Sequence, residues 1–299
     1  MNAVPHEVVI TDDPAHFLAL ADGHLAADPV LTTVVSTVTH RALAQVERGL
    51  PAPAHPRWWA VVHDPAGEVA GVAMRTAPFA PYPLFVLPMP DAAAVALARE
   101  VHARGEEIGG VNGALPATQV VAGEAARLQG GTASVWEHTR LFELGELVEP
   151  EPVDGRMRRA GADDTGLCLE WFEAFAADAA EQAGRTEGEG HEEYFTREDM
   201  LERIEGGRIC LWEVAGEPVH LTGFNSPSFG VARVGPVYTP REHRGRGYAS
   251  AGVAEVSRWL REEGARVCLF TDQANPTSNR IYRALGYRAV VDMANLLVR

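Results

Sequence analysis

The sequence predicts an α/β (α+β) protein built from two similar domains in tandem, and three observations carry that prediction. A strand–turn–strand pattern occurs twice: Trp58-Trp59-Ala-Val-Val-His runs to a turn at Gly67 and a second apolar run, and Cys210-Leu-Trp-Glu-Val runs to a turn at Gly216 and another. The two glycines lie 149 residues apart in a chain of 299, about half its length. That length itself favours two domains, at roughly 100–200 residues each. Between the halves, Glu149-Pro-Glu-Pro-Val-Asp-Gly155 is punctuated as a linker is. Each hairpin is preceded by sequence of helical character. Each is followed by a further strand, a helix and a closing strand, Glu137–Leu144 in one half and Tyr287–Val298 in the other. The domains are therefore expected over residues 1–150 and 156–299.

In the second half the elements follow from local patterns. Arg156–Arg159 opens a strand, and Asp163 and Asp164 are N-cap candidates for a helix over Thr165–Asp178, with Leu167, Trp171, Phe172 and Phe175 at helical spacing. A Gly- and Glu-rich loop, Glu181–Gly190, leads to a second helix near Glu192–Glu205. Strands are expected at Arg208–Val214, Pro218–Asn225 and Val231–Val237. A helix over Gly247–Glu263 presents Ala249, Val253, Val256 and Leu260 on one face. Val267–Thr271 is a continuous apolar strand, and Pro276–Leu285 is a short helix stopped by Gly286.

Composition excludes several chemistries. Apolar residues make up 46% and charged residues 22%, ordinary for a globular chain. With 41 acids against 26 basic residues the net charge is −15, which disfavours nucleic acid or an anionic membrane as a partner. Every basic residue is arginine. Without lysine there is no Walker loop, no Schiff base, no pyridoxal attachment and no Ser–Lys dyad. The three cysteines, Cys168, Cys210 and Cys268, are too few and too scattered for a disulfide framework or a zinc knuckle, so no metal is expected. No apolar run reaches 18 residues and Met1–Asp13 lacks a signal peptide's pattern, so a cytoplasmic protein is expected.

The densest chemical signal is Val237-Tyr-Thr-Pro-Arg-Glu-His-Arg244-Gly-Arg-Gly247-Tyr-Ala249-Ser. A buried strand enters a loop with two glycines and then an amphipathic helix, the arrangement of an anion cradle: glycines let the backbone approach a phosphate, and amides at the helix start point at it. Arg244 and Arg246 add positive charge. The spacing of Gly247-Tyr-Ala-Ser250-Ala-Gly252 does not match a nucleophile elbow. After the next apolar strand, Asn275-Pro-Thr-Ser-Asn-Arg-Ile-Tyr282-Arg-Ala-Leu-Gly-Tyr287 places Asn275 and Tyr282 seven apart, on one helix face.

Together these segments resemble the GNAT superfamily of acetyl-CoA-dependent N-acetyltransferases. Arg244-x-x-Gly247-x-Ala249 matches that family's Arg/Gln-x-x-Gly-x-Gly/Ala pyrophosphate loop, and Asn275 through Gly286-Tyr287 matches its second cofactor motif. Thr271-Asp-x-x-Asn-Pro-Thr-Ser-Asn is similar to a bacterial branch of predicted acetyltransferases. The detailed likeness covers about Val231–Tyr287, and element order extends it to Arg156–Arg299. It implies tandem GNAT-like domains, each a mixed, mostly antiparallel twisted sheet flanked by helices, with acetyl-CoA wedged between two splayed strands of the second. By resemblance, backbone groups of Val237, Tyr238 and Thr239 hold the pantetheine arm. The loop and helix start at Arg244, Gly245, Arg246, Gly247, Tyr248, Ala249 and Ser250 hold the pyrophosphate. Asn275 bonds the amide arm and Tyr282 protonates the leaving thiolate. As packing or capping residues, Tyr282 would be a core tyrosine and Asn275 a helix N-cap.

The acceptor's base is open. Phe229–Tyr238 has no carboxylate, where some family members carry one. Asp272 at the end of the neighbouring strand is one candidate, directly or through water. Glu173 and His191 are others, and an amine arriving neutral needs none. Glu170–Glu205 holds twelve acids and three arginines, which points to a cationic small-molecule amine or to solvated helix faces. In the first half, Pro81–Asp91 has neither Arg nor Gly where the phosphate loop belongs, so that half reads as a degenerate copy, with Trp58-Trp59 as packing. Three functions stand: an N-acetyltransferase, monomeric or homodimeric; an acyl-CoA-binding regulatory or sensor protein with little turnover; and an aminoacyl- or mycothiol-type transferase on the same fold.

Overall fold

A computed structural model describes residues 6–182 and 196–299. The first half supplies β1 (Glu7–Thr11), α1 (Pro14–Ala27), α2 (Thr33–Glu47), β2 (Trp58–His63), β3 (Val69–Arg75), β4 (Leu84–Val86), α3 (Asp91–Ala103), β5 (Gly110–Ala114), α4 (Ala117–Gln129) and β6 (Ala133–Leu144). The second supplies β7 (Arg156–Arg159), α5 (Thr165–Gln182), α6 (Arg197–Glu205), β8 (Ile209–Val214), β9 (Glu217–Phe224), β10 (Val231–Tyr238), α7 (Tyr248–Glu262), β11 (Arg266–Asp272), α8 (Pro276–Ala284) and β12 (Tyr287–Val298). Strands and helices follow one another in the same order in both halves, so the repeat read from the two hairpins extends to every one of these elements. Both hairpins form, β2 with β3 and β8 with β9, turning at Gly67 and Gly216 with φ of +87° and +88°.

Two compact units result: one runs to Thr139 and takes in Val291–Arg299, and the other is Arg140–Val290. In the first, the final stretch of β12 lies antiparallel to β5, with Met293 opposite Ala114 and Leu297 opposite Gly110. Ala294, Leu296 and Val298 fill its core beside Leu84, Leu97 and Val121. Trp58 and Trp59 are buried there, the latter stacked on Phe17, as packing residues would be. In the second unit, Phe142 and Leu144 of β6 pack with Val253, Val256, Leu260, Leu269 and Leu285. Glu149–Gly155 lies inside this unit: Asp154 O accepts the Trp212 indole N–H, and Glu149 pairs with Arg258. Proline and glycine there prevent regular structure but not packing.

The second unit's sheet is antiparallel from β7 through β10, and β10 then pairs parallel with β11. Local signals place most boundaries within a residue or two. Three differ. The helix expected to end at Asp178 runs on to Gln182. Ala162–Asp164 is a 3₁₀ turn, in which Asp164 accepts the Gly161 amide and pairs with Arg158. The second acidic helix begins at Arg197, because Thr196 caps it reciprocally with Asp199; the earlier stretch, with the Gly- and Glu-rich loop and His191, lies outside the described residues. The three cysteines are buried and none is in a disulfide, and burial pushes the Cys168 and Cys210 thiols up to about 12.

Candidate active site

The site begins where two strands stop pairing. The parallel register of β10 and β11 runs from Val231–Arg266 to Val234–Leu269 and ends there, although β10 continues to Tyr238 and β11 to Asp272. At the same point the β9–β10 register shifts, between Val234 and Val237. Gly235-Pro236 occupies the break, and proline has no N–H for the ladder. The β10 edge at Val237, Tyr238 and Thr239 is thus open on the β11 side. This is the splay the motifs predict.

At the end of β10 the chain makes a 3₁₀ turn over Arg241–His243 and passes Gly245 and Gly247 into α7. The first amide to find an acceptor within the helix is Ala251, bonded to Gly247 O at 3.0 Å. The amides of Tyr248, Ala249 and Ser250 precede it and have no intrahelical acceptor. Their row lies at the positive end of a fifteen-residue helix, an arrangement that can hold an anion. Gly247 sits at φ +84°, where L side chains are strained, and a Cβ there would lie 2.8 Å from Val153 Cγ1. Arg246 is exposed and bonds Glu242 O, and the Tyr248 ring is buried against Trp212 and Val219.

Arg244 does not extend from the loop. Its Nε donates to Thr239 O at 2.9 Å, and its Nη2 donates to Asp178 Oδ2 at 2.5 Å. Asp178, on α5, is the hub of the site: it also accepts the Tyr238 phenol at 3.0 Å and two bonds from Arg241, at 3.0 and 2.6 Å. Burial pushes its carboxyl up, but Arg241, Tyr238 and Arg244 outweigh that and hold it below the usual carboxylate range. Burial, with the hydrogen bond to Asp178, raises the Tyr238 phenol. One carboxylate therefore ties α5 to the end of β10, to the 3₁₀ turn and to Arg244. Asp178→Asn should raise the KM for acetyl-CoA about tenfold while changing kcat little, since a charge-assisted bond contributes about 1.5–3 kcal/mol and Arg241 is well exposed. The depressed carboxyl stabilises the fold above the unfolded carboxyl's pKa, near 4, and that contribution is lost as pH falls through its folded value. The stability gap between variant and wild type should accordingly close in acid, which melting curves across pH would show.

A second buried group supports the loop. His220 on β9 bonds Thr239 Oγ1 at 2.8 Å through Nδ1 and Thr222 Oγ1 at 2.7 Å through Nε2. Complete burial pushes its imidazole down to about 3, so it stays neutral. Across the splay, Asn275 caps α8 by accepting the Ser278 amide at 3.0 Å, and Ser278 shares a side-chain hydrogen bond with Tyr282. Tyr282 is 7% exposed, edge-on to Tyr287, and burial pushes its phenol up to about 12. Asp272 ends β11: its Oδ1 accepts the Ala274 amide, and its carbonyl accepts the Asn279 side chain. Glu173 is exposed on α5.

Among the described residues the first unit shows no such opening. β4 and β5 pair to the end of β4, Val86 opposite Gly113, and a Cβ at Gly113 would lie 2.0 Å from Val86 O, so the strands stay shut. Pro90 precedes α3, whose first turn carries Asp91, an anion where a phosphate would sit.

The sequence profile of the Acetyltransferase (GNAT) family matches residues 170–287. An aminoglycoside N(6')-acetyltransferase type 1 from Serratia marcescens is 30% identical over 89 residues, 29% of this chain and 60% of that enzyme's length. A GCN5-related N-acetyltransferase structure from Sphaerobacter thermophilus covers 97% of this chain and 94% of its own at 18% identity and a TM-score of 0.56. A tandem GNAT protein from the clavulanic acid biosynthesis pathway covers 98% of both at 14% identity and a TM-score of 0.54. Residues 170–287 thus match the GNAT acetyltransferase family, and the chain shares the fold of a tandem GNAT protein.

Proposed function

We propose that this chain is an acetyl-CoA-dependent N-acetyltransferase acting on a primary amine of a small, cationic acceptor, with one acetyl-CoA site per chain, in the second unit. The observation that carries this is the coincidence of an open β10 edge with a row of helix-start amides, and its closure at the corresponding strands of the first unit. When bound, acetyl-CoA supplies an activated acyl group: the amine nitrogen bonds the carbonyl carbon as the carbon–sulfur bond breaks and the thiol leaves. Tyr248, Ala249 and Ser250 amides, with those of Gly245 to Gly247, hold the pyrophosphate. The backbone of Val237, Tyr238 and Thr239 takes the amide arm as a neighbouring strand would. Asn275 fixes the start of α8, and Tyr282 offers its proton to the departing sulfur. Asp272, or water it orders, takes the amine's proton.

The acceptor's charge is read from the acidic stretch Glu170–Glu205, and its amine from the aminoglycoside-acetylating relative. Asp178 is spent on the loop, which leaves exposed acids such as Glu173 for steering. Calorimetry should give one acetyl-CoA per chain, and an amine screen with a thiol-release readout should find a substrate whose kcat/KM falls with added salt. Two equivalent sites would overturn the assignment of the first unit. Tight binding with no thiol release from any amine would favour an acyl-CoA sensor.

A further inference from the structure

Three arginines converge on one recess of the second unit. Arg140 from β6 and Arg280 and Arg283 from α8, with Gln273, Pro276 and Asn279, line a cavity of about 450 Å³. No carboxylate lines it, in a chain where acids outnumber arginines 41 to 26. Among the described residues Arg280 and Arg283 have no ion-pair or hydrogen-bond partner. Arg140 donates to Gln273 Oε1 at 3.4 Å, and the Asn279 amide nitrogen is held by Asp272 O and Asn275 O. Other arginines of this unit pair with acids, as Arg158 does with Asp164 and Glu213 and Arg266 with Glu143. Three guanidiniums facing one recess favour an anion there, and the first turn of α8 adds the positive end of its dipole. Pro276, Asn279, Arg280 and Arg283 occupy the face of α8 next to that of Asn275 and Tyr282.

We propose that this recess is a phosphate site, in which Arg140, Arg280 and Arg283 clamp a phosphomonoester dianion through the forked bonds guanidinium makes to phosphate. The dianion has two possible sources: the 3′-phosphate of the CoA nucleotide, or a separate phosphorylated small molecule held beside the splay. The first source rests on the acetyl-CoA reading above; the binding of phosphate itself does not.

Melting curves of the full chain in inorganic phosphate, against chloride at matched ionic strength, test it. Phosphate should raise Tm saturably, by about 2–4 °C. The exposed pair Arg280→Gln with Arg283→Gln should remove that rise and leave Tm in chloride unchanged. No saturable rise in the wild type, or an undiminished one in the double variant, overturns the proposal. A second measurement separates the sources. A wild-type preference of about tenfold for CoA over 3′-dephospho-CoA, abolished in the double variant, assigns the site to the nucleotide. Equal affinities alongside the saturable rise assign it to a separate ligand.

Discussion

Gly247→Glu should abolish acetyl-CoA binding while the chain remains folded. Two effects act at this position and they separate cleanly. A side chain at φ +84° strains the backbone by about 1–2 kcal/mol, and its Cβ must displace the Val153 methyl. Gly247→Ala suffers both and should lose a few degrees of Tm and a modest part of its affinity. Glutamate adds a carboxylate at the start of α7, where it takes the helix dipole for itself and repels pyrophosphate. Titration should therefore show binding to the alanine variant and none to the glutamate variant at ligand concentrations about a hundredfold above the wild-type Kd, a loss of more than about 2.7 kcal/mol. Equal affinities in the two would show that the amide row is not the phosphate site.

Tyr282→Phe should lower kcat by about 10²-fold with little change in acetyl-CoA affinity. General acid catalysis contributes about 10²–10⁴, and the low end is expected because burial holds this phenol at about 12. A thiol of pKa about 8.5 is a stronger acid, so the phenol stabilises the leaving sulfur by hydrogen bonding more than by surrendering its proton. Because the folded phenol stays protonated, Tyr282 should put no alkaline limb on the wild-type rate below about pH 10. Phenylalanine keeps the edge-on contact with Tyr287 and loses the bond shared with Ser278, about 1 kcal/mol of stability. Single-turnover thiol release reads the result directly. Parental turnover in a folded variant would make Tyr282 a packing residue.

Much of this fold was legible because its signals are local. The Gly-turn hairpins, the face of α7 with Val253, Val256 and Leu260, and the apolar run of β11 are each set by period and punctuation within a few residues. The two-glycine turn into α7 and the shared α8 face of Asn275 and Tyr282 were legible for the same reason. Asp178 and His220 were not. Asp178 reaches partners 60 to 66 residues on, and His220 reaches Thr239 19 residues on. In the sequence Asp178 is one acid among twelve, and only the fold shows that it is buried. The motif picks out Arg244, yet its guanidinium faces Asp178 and Thr239 O, because a motif gives residue type and not side-chain direction. The strand pattern at Tyr287–Val298 likewise identified a strand without naming its neighbour, since alternation fixes faces and not partners.

That last strand has a consequence for how the chain is made. Protein chains commonly fold domain by domain in order of synthesis. Here β5 waits for Met293–Leu297, and the core around Leu84 and Val121 waits for Leu296 and Val298, which a ribosome adds only after Arg140–Val290. The first-made unit is therefore the last to close. Its unfinished edge stays exposed through translation of Arg140–Val290, and a substitution within Met293–Leu297 would be felt in the unit whose other strands are made first.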